Sequence, residues 1–152
     1  MSTPIVEQIA VSIAADINAI TTANGYNQDL VAVRPKKVDF ETPWDDLTVL
    51  ISQDAAEKDG QMTNHCQQWR QTFFATAIVI DSDNAETSID TRLNQVAADI
   101  QKKLMVDDSR GGKAIDTIIM GAVPFNDDDG LTGINVVFDV QYRTSVYDPY
   151  TQ

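Results

Sequence analysis

The stretch GINVVFDVQYRT, residues 133–144, alternates apolar side chains with a mostly polar set that includes Val137. Such alternation is typical of a β-strand that buries one face and leaves the other in contact with water. Because a slip of one residue would turn the apolar set toward water, the pattern also defines the register of the strand. The predicted buried set is Ile134, Val136, Phe138, Val140 and Tyr142.

Several other stretches predict strands that can pair with residues 133–144. Residues 114–123 precede it and are joined to it by PFNDDDGLT, which is rich in turn formers, so the two predict a hairpin. The polar stretch at 53–65 predicts a loop, which is long for a compact domain and therefore a candidate contact surface. Further strands are predicted at residues 29–35, 47–52 and 67–80.

Two amphipathic helices are predicted at residues 5–23 and 84–105, because each carries one apolar stripe. Pro4 suits the first position of the first helix. Asp83 and Glu86 match a capping box at the start of the second. The stripes are Ile5, Ile9, Ile13, Ile17 and Ile20 in the first helix, and Ile89, Leu93, Val96, Ala97, Ile100 and Leu104 in the second.

The order of these elements predicts an α+β fold in one small domain covering residues 1–152. The sheet is expected to be mixed and mostly antiparallel, with four to five strands and both amphipathic helices packed on one face. Residues 145–152 follow the last strand and contain two tyrosines and a proline. Because a free tail is usually polar, we expect this segment to dock on another protein.

The composition excludes some classes of partner and is neutral on others. The chain has 23 acidic and 11 basic residues, for a net charge of −12, so its surface should repel DNA and anionic membranes. Cys66 is the single cysteine, which rules out an internal disulfide and fits a reducing compartment. The first residues lack the features of a signal peptide, and no apolar run is long enough for a membrane span.

No stretch predicts a catalytic, cofactor or metal site. His65 and Cys66 are neighbours, so in a strand they point to opposite faces and cannot act together as base and nucleophile. The acidic run at 126–130 lacks the ligand spacing of a calcium loop. The segment SRGGK at 109–113 follows a predicted helix instead of opening one, so it predicts a helix end and not a phosphate loop.

Two features suggest contacts between copies of the chain. The basic run contains Arg34, Lys36 and Lys37. It can pair with acids such as Asp127, Asp128 and Asp129 on a neighbouring copy. Contact between unlike patches is head-to-tail and closes into a ring if the rotation permits. The alternative is a solvated sheet edge. Trp44 lies beside Pro43 and two aspartates, which favours a partly exposed position at an interface.

The chain resembles the tail terminator and tail completion proteins of long-tailed bacteriophages. The resemblance rests on the order and spacing of NGYNQDLVAV, VAADIQKKL, DDSRGGKAIDT and YRTSVYDPY, and runs from about Ile5 to Tyr150. It implies a small domain with a mixed or antiparallel sheet and flanking helices. It also implies a ring, typically a hexamer, that ends the tail tube at its head-proximal end and meets the head connector. DNA passes through such a ring, and no reaction or cofactor is involved.

The resemblance gives three groups of residues a candidate role. Acids that line the bore would keep DNA from adhering, and the polar loop would contact the tail tube. Tyr147 and Tyr150 would be aromatic anchors on a neighbouring subunit or tube protein, unless they fold back on their own subunit. The bore candidates are Asp127, Asp128 and Asp129, or Asp107 and Asp108; the loop candidates are Glu57, Lys58, Asp59 and Met62; the terminal candidates are Tyr147, Asp148, Pro149 and Tyr150.

Other functions are compatible with the same sequence. A neck, tail-tube or baseplate protein of a phage could share this fold. A small cytosolic ligand-binding domain or enzyme is a second alternative, and it would need a deep pocket with converging polar groups. The expected partners under the first interpretation are other copies of the chain, a tail tube protein and a head–tail connector, with DNA passing through the lumen and no membrane.

Overall fold

The protein is a single layer of β-sheet with two α-helices on one face, as seen in a computed structural model that describes residues 2–36, 43–60, 65–80, 87–126 and 131–152. The predicted α+β class is confirmed, with a five-stranded sheet that is mixed and mostly antiparallel. The elements are α1 (Ile5–Asn18), a 3-10 helix (Thr22–Asn24), β1 (Val31–Val33), β2 (Thr48–Lys58), β3 (Cys66–Ile78), α2 (Ile89–Val106), β4 (Asp116–Asn126) and β5 (Thr132–Ser145).

The two longest strands lie side by side in the middle of the sheet. The strand order is β1-β2-β3-β5-β4, and the antiparallel pairing of β3 with β5 runs from Cys66 opposite Ser145 to Ile78 opposite Gly133. β4 and β5 form the predicted hairpin, although β4 begins and ends later than the predicted 114–123. β1 pairs in parallel with β2 over three residues.

The hydrophobic core lies between the helices and one face of the sheet. The whole apolar set predicted for β5 is buried there, and the ring of Phe138 stacks on that of Phe73 with centroids 5.7 Å apart. The helix stripes face the same core, since Ile9, Ile13 and Ile100 are fully buried. Burying one such side chain contributes about 1.5–3 kcal/mol, so this layer provides most of the stability of the fold.

Both helices are shorter than their apolar stripes predict. α1 ends at Asn18 instead of residue 23, and Ile20 is buried just beyond its end. Pro4 is the N-cap residue of α1, which has no side-chain cap. α2 begins at Ile89 instead of residue 84, because the hydroxyl of Ser88 accepts a hydrogen bond from the Thr91 N–H and caps the helix there. The predicted cap residues Asp83 and Glu86 lie outside the described residues.

The sheet face opposite the helices has a smaller buried region of its own. Leu50 and Ile78 point to this face and are almost completely buried. Gly133 lies opposite Ile78, and Phe125 lies opposite Gly133 in the next strand. A Cβ atom on Gly133 would come within 2.5 Å of the Phe125 ring, so the ring lies directly over this glycine. The absence of a side chain at 133 therefore lets the Phe125 ring lie over the end of β5.

Candidate interaction surfaces

Residues 53–58 of the polar stretch predicted as a loop at 53–65 are strand, so the prediction was wrong for that part. β2 continues to Lys58, where it pairs with Trp69, and Glu57 pairs with Arg70. A register shift lies between Gln53 and Ala56. Backbone pairing with β3 keeps these exposed polar residues extended. Together they form a β2–β3 arm, defined as residues 53–60 and 65–71, in which Glu57 and Lys58 are exposed on strand and not on loop. The candidate Met62 lies outside the described residues.

Asp59 is bound within its own subunit on the open face of the sheet. Its carboxylate accepts a hydrogen bond of 2.8 Å from Gln141 Nε2 and lies 3.3 Å from Arg70 Nη2. Arg70 also approaches Asp139, whose carboxylate accepts a 2.7 Å bond from the Thr72 hydroxyl. These contacts join β3 to β5 and hold the arm to the sheet. Of the predicted tube contacts that are described, Glu57 and Lys58 are the more accessible.

Within the basic run, Arg34 is paired inside its own subunit and Lys36 extends into solvent. Arg34 forms a two-pronged pair with Glu7 of α1, at 2.5 and 3.0 Å. This hydrogen bonding lowers the pKa of Glu7 and raises the pKa of Arg34. The pair joins the segment that follows β1 to α1. Lys36 is exposed, and Lys37 lies outside the described residues.

The candidate bore acids have different surroundings. Asp107 follows α2 and closes the turn at 107–112: it accepts hydrogen bonds from the hydroxyl and N–H of Ser109 and from the N–H of Gly111. These bonds, the Ser109 hydroxyl first, lower the pKa of Asp107. Asp108 is exposed, and its carbonyl accepts a bond from the Thr117 hydroxyl at the start of β4. The three acids Asp127, Asp128 and Asp129 lie outside the described residues.

Asp107 should therefore titrate below the ordinary aspartate value of 3.8. Because its folded pKa is depressed, its contribution to stability is present above the unfolded value and is lost as the pH falls through the folded value. A carboxyl carbon NMR titration measures this directly. Ser109→Ala should move the midpoint back toward 3.8. A wild-type midpoint at or above that value would contradict the capping role.

The C-terminal segment folds back on its own subunit. The carbonyl of Pro149 accepts the N–H of Ile5, the first residue of α1, at 3.1 Å, and so replaces a side-chain cap. Val146 N–H donates to the His65 carbonyl at 3.1 Å. Asp148 accepts the Tyr150 N–H at 3.0 Å. We call residues 145–152 the C-terminal strap, since it joins α1 to β3.

The strap leaves both of its tyrosines exposed, Tyr147 far more than Tyr150. Tyr147 is 89% exposed, whereas Tyr150 is 42% exposed. The strap backbone is thus bound to its own subunit, and Tyr147 is its most exposed aromatic side chain. Trp44, the other predicted aromatic contact, is half-buried.

Sequence reasoning missed two buried charged groups. Arg110 is 1% exposed and has a positive φ of 51°. Its guanidinium donates to the carbonyls of Leu104 and Asp107 and, at 2.6 Å, to the carboxylate of Asp16 in α1. Burial raises the pKa of Asp16, and Arg110 opposes that shift. Nothing local marks Arg110 in the sequence, because its partner Asp16 is 94 residues away.

The second missed group is Asp99 of α2, which is 2% exposed. Its carboxylate accepts the backbone N–H groups of Asn27 and Gln28 at 2.9 and 3.0 Å and so fixes the segment that leads into β1. Its position three residues after Val96 and beside Ile100, both in the apolar stripe, was the available signal. A carboxylate at a core-facing position requires buried donors.

His65 directly precedes β3, and Cys66 is its first residue. His65 is exposed and uses its carbonyl to bind the strap, while Cys66 is half-buried at the start of β3. Over the ranges that the structure describes, no group of three His, Cys, Asp or Glu side chains could hold a metal ion. In the same ranges, no helix is long and apolar enough to cross a membrane.

Comparison of the chain with protein-family models finds no matching family, and comparison with curated proteins finds no match.

Proposed function

We infer that this chain is a structural subunit of a ring at the head-proximal end of a phage tail, where it ends growth of the tail tube and joins the tail to the head. The resemblance supplies the role, and the α+β fold agrees with what the resemblance implies. The proposed partners are further copies of the chain, the tail tube protein and the head–tail connector. The ring is proposed to be a hexamer and part of the virion.

The observation that carries the proposal is that two different edges of the sheet are open to a neighbour. β4 is the last strand on one side. On the other side, β1 covers β2 only as far as Leu50, so the rest of β2 has no outer partner among the described residues. The edge of β1 itself is closed, because its Ala32 N–H donates to the Asn18 side chain. Two unlike open edges suit head-to-tail addition, which generates a ring.

The charges of the two edges favour the same arrangement. Arg34 is already paired with Glu7, and exposed Lys36 lies beside the edge of β2. Arg34 and Pro35 line a notch there together with Gln53. At the other edge, exposed Asp108 adjoins the start of β4. Opposite charges at the two edges steer unlike edges together, and the overall charge of −12 keeps DNA from adhering as it passes.

The test of this function is tail-tube length. Tail-tube protein is polymerised from preassembled baseplates with and without the purified chain, and tubes are measured by electron microscopy. The proposal requires that the chain stop growth and leave one ring at the free end of each tube. Tubes that continue to grow, or long tubes formed by the chain alone, would contradict it; the second result would indicate a tube protein.

A charge placed on the β4 edge should prevent ring formation without unfolding the subunit. Val123 is 59% exposed on this strand, so Val123→Lys should cost little stability but should weaken assembly on tubes at least about tenfold. The matched control is Val11→Lys on the outer face of α1, where the valine is 54% exposed. Both variants change the net charge equally. Equal assembly of the two variants would show that the β4 edge is not an interface.

A further inference from the structure

Tyr147 is an aromatic side chain presented on a fixed turn. Its neighbours are held by the bridge between Ser145 and Asp148, by the 2.8 Å bond from Ser145 N–H to the Thr151 carbonyl, and by the bond from Val146 to His65. A partner that binds this ring therefore has little backbone to order, which removes one of the usual costs of association. A ring so exposed on so constrained a turn is suited to enter a pocket on another protein.

A pocket of matching size lies beside the strap. It has a volume of about 220 Å³ and opens between the start of α1, the β2–β3 arm and the strap. Benzene is accommodated in a protein cavity of about 150 Å³, so this pocket can hold one aromatic ring. The polar group within it, the Trp69 indole N–H, is already bonded to the Thr144 hydroxyl at 3.0 Å. The apolar lining comprises Pro4, Val6, Ala56, Trp69, Tyr142 and Pro149.

The charges beside the ring and the pocket are complementary. Lys58 is the cross-strand partner of Trp69 and is exposed, so it lies on the pocket side of the arm. Asp148 follows Tyr147 directly. If Tyr147 of one molecule enters the pocket of another, Asp148 of the first molecule comes close to Lys58 of the second. The pairing adds direction to an otherwise apolar contact.

We propose that two copies of the chain associate reciprocally, each inserting Tyr147 into the Trp69 pocket of the other. Pro149 lines the pocket and lies two residues from Tyr147, so ring and pocket are about 7 Å apart along the chain. A contact in which each copy both gives and receives a ring is twofold by symmetry. Closing a ring requires surfaces on opposite sides, so this contact is separate from the proposed function and does not depend on it.

The contact is weak because it is small. Two tyrosine rings bury about 300 Å² and the pockets a similar area, so the total is roughly half of the 1,200 Å² at the lower limit of a stable interface. We expect a dissociation constant of about 1 mM. The subunit is then a monomer when dilute and a dimer when concentrated.

The test follows the Trp69 indole N–H by NMR while the concentration of the full chain is raised. This resonance should shift with concentration in the wild type. Tyr147→Ala should reduce the association at least about tenfold. Ala56→Leu should do the same, because it fills the pocket from an exposed strand position. Tyr150→Ala is the control from the same strap and should associate as the wild type does.

Two results would overturn the reciprocal contact. One is a Trp69 resonance that does not move up to the solubility limit of the wild type. The other is association that persists unchanged in both Tyr147→Ala and Ala56→Leu. Either result leaves the proposed ring function standing, because tube length is measured separately and the β4 edge carries that proposal.

Discussion

Arg110→Met is expected to lower the free energy of unfolding by about 3–5 kcal/mol. The guanidinium is completely buried and joins α1 to the end of α2, through the Asp16 carboxylate and the carbonyls of Leu104 and Asp107. Removing it leaves a partly buried carboxylate without its cation and two carbonyls without their donor. Methionine retains most of the apolar volume, so the loss reports the charge and its hydrogen bonds and not a cavity.

Methionine also keeps the backbone strain at position 110 the same in the variant as in the wild type. Arg110 has a φ of 51°, which is strained for any residue with a Cβ. Glycine would relieve this strain and hide part of the loss, whereas methionine bears the same strain as arginine. The measurement is urea unfolding, in which the midpoint should fall while the slope stays constant.

Arg34→Met is the matched control for Arg110→Met. Arg34 also makes a two-pronged pair, with Glu7, but its side chain is 33% exposed and that of Glu7 is 40% exposed. Exposed pairs contribute about 0–1 kcal/mol, so this variant should lose little. Equal losses in the two variants would contradict the special role of the buried pair. Arg110→Met with Asp16→Leu should recover part of the loss, because no unpaired charge remains.

The sequence predicts the parts of this fold that follow a local period. Ile9, Ile13 and Ile17 are buried as their helical spacing predicts, and Phe138 and Val140 are buried as strict alternation predicts. In both elements, the apolar side chains that recur with the period of the element are also the ones buried in the core. The class, the hairpin of β4 and β5, and the helix-covered face of the sheet follow from these patterns.

The parts that the sequence does not predict depend on distant partners. The arm from Gln53 to Lys58 has the composition of a loop, and it is a strand because β3 is available beside it. Arg110 is buried because Asp16 lies across the helix interface, 94 residues away in the chain. No window of local sequence contains both members of such a pair.

In the candidate interaction surfaces too, the residue types follow from the sequence, whereas their accessibility depends on distant partners. The strap that carries Tyr147 is held to α1 by the Pro149 carbonyl, a contact between the two ends of the described chain. Arg34 of the basic run is paired with Glu7, which lies 27 residues earlier in the chain. Composition therefore selects the types of residue that interfaces favour. Which of them remain free was decided by contacts that only the folded chain contains.

Gly133→Ala is expected to lower the free energy of unfolding by about 3 kcal/mol. Its Cβ atom would lie 2.2 Å from the Ala77 carbonyl oxygen and 2.5 Å from the Phe125 ring, both far inside contact distance. The ring can rotate away, but the carbonyl belongs to the backbone of the central strand β3 and cannot. The strands must separate locally, which disturbs the pairing of β3 with β5 that holds the middle of the sheet.

Gly121→Ala is the control, because a Cβ at this β4 position meets no atom within 4 Å. It should leave stability unchanged or raise it by about 0.5 kcal/mol through the unfolded chain. Phe125→Leu should rescue Gly133→Ala only in part, since it removes the ring clash and leaves the carbonyl clash. Urea unfolding of the single and double variants separates the two clashes. Full rescue would mean that the backbone of β3 yields, and that Gly133 is required by the Phe125 ring alone.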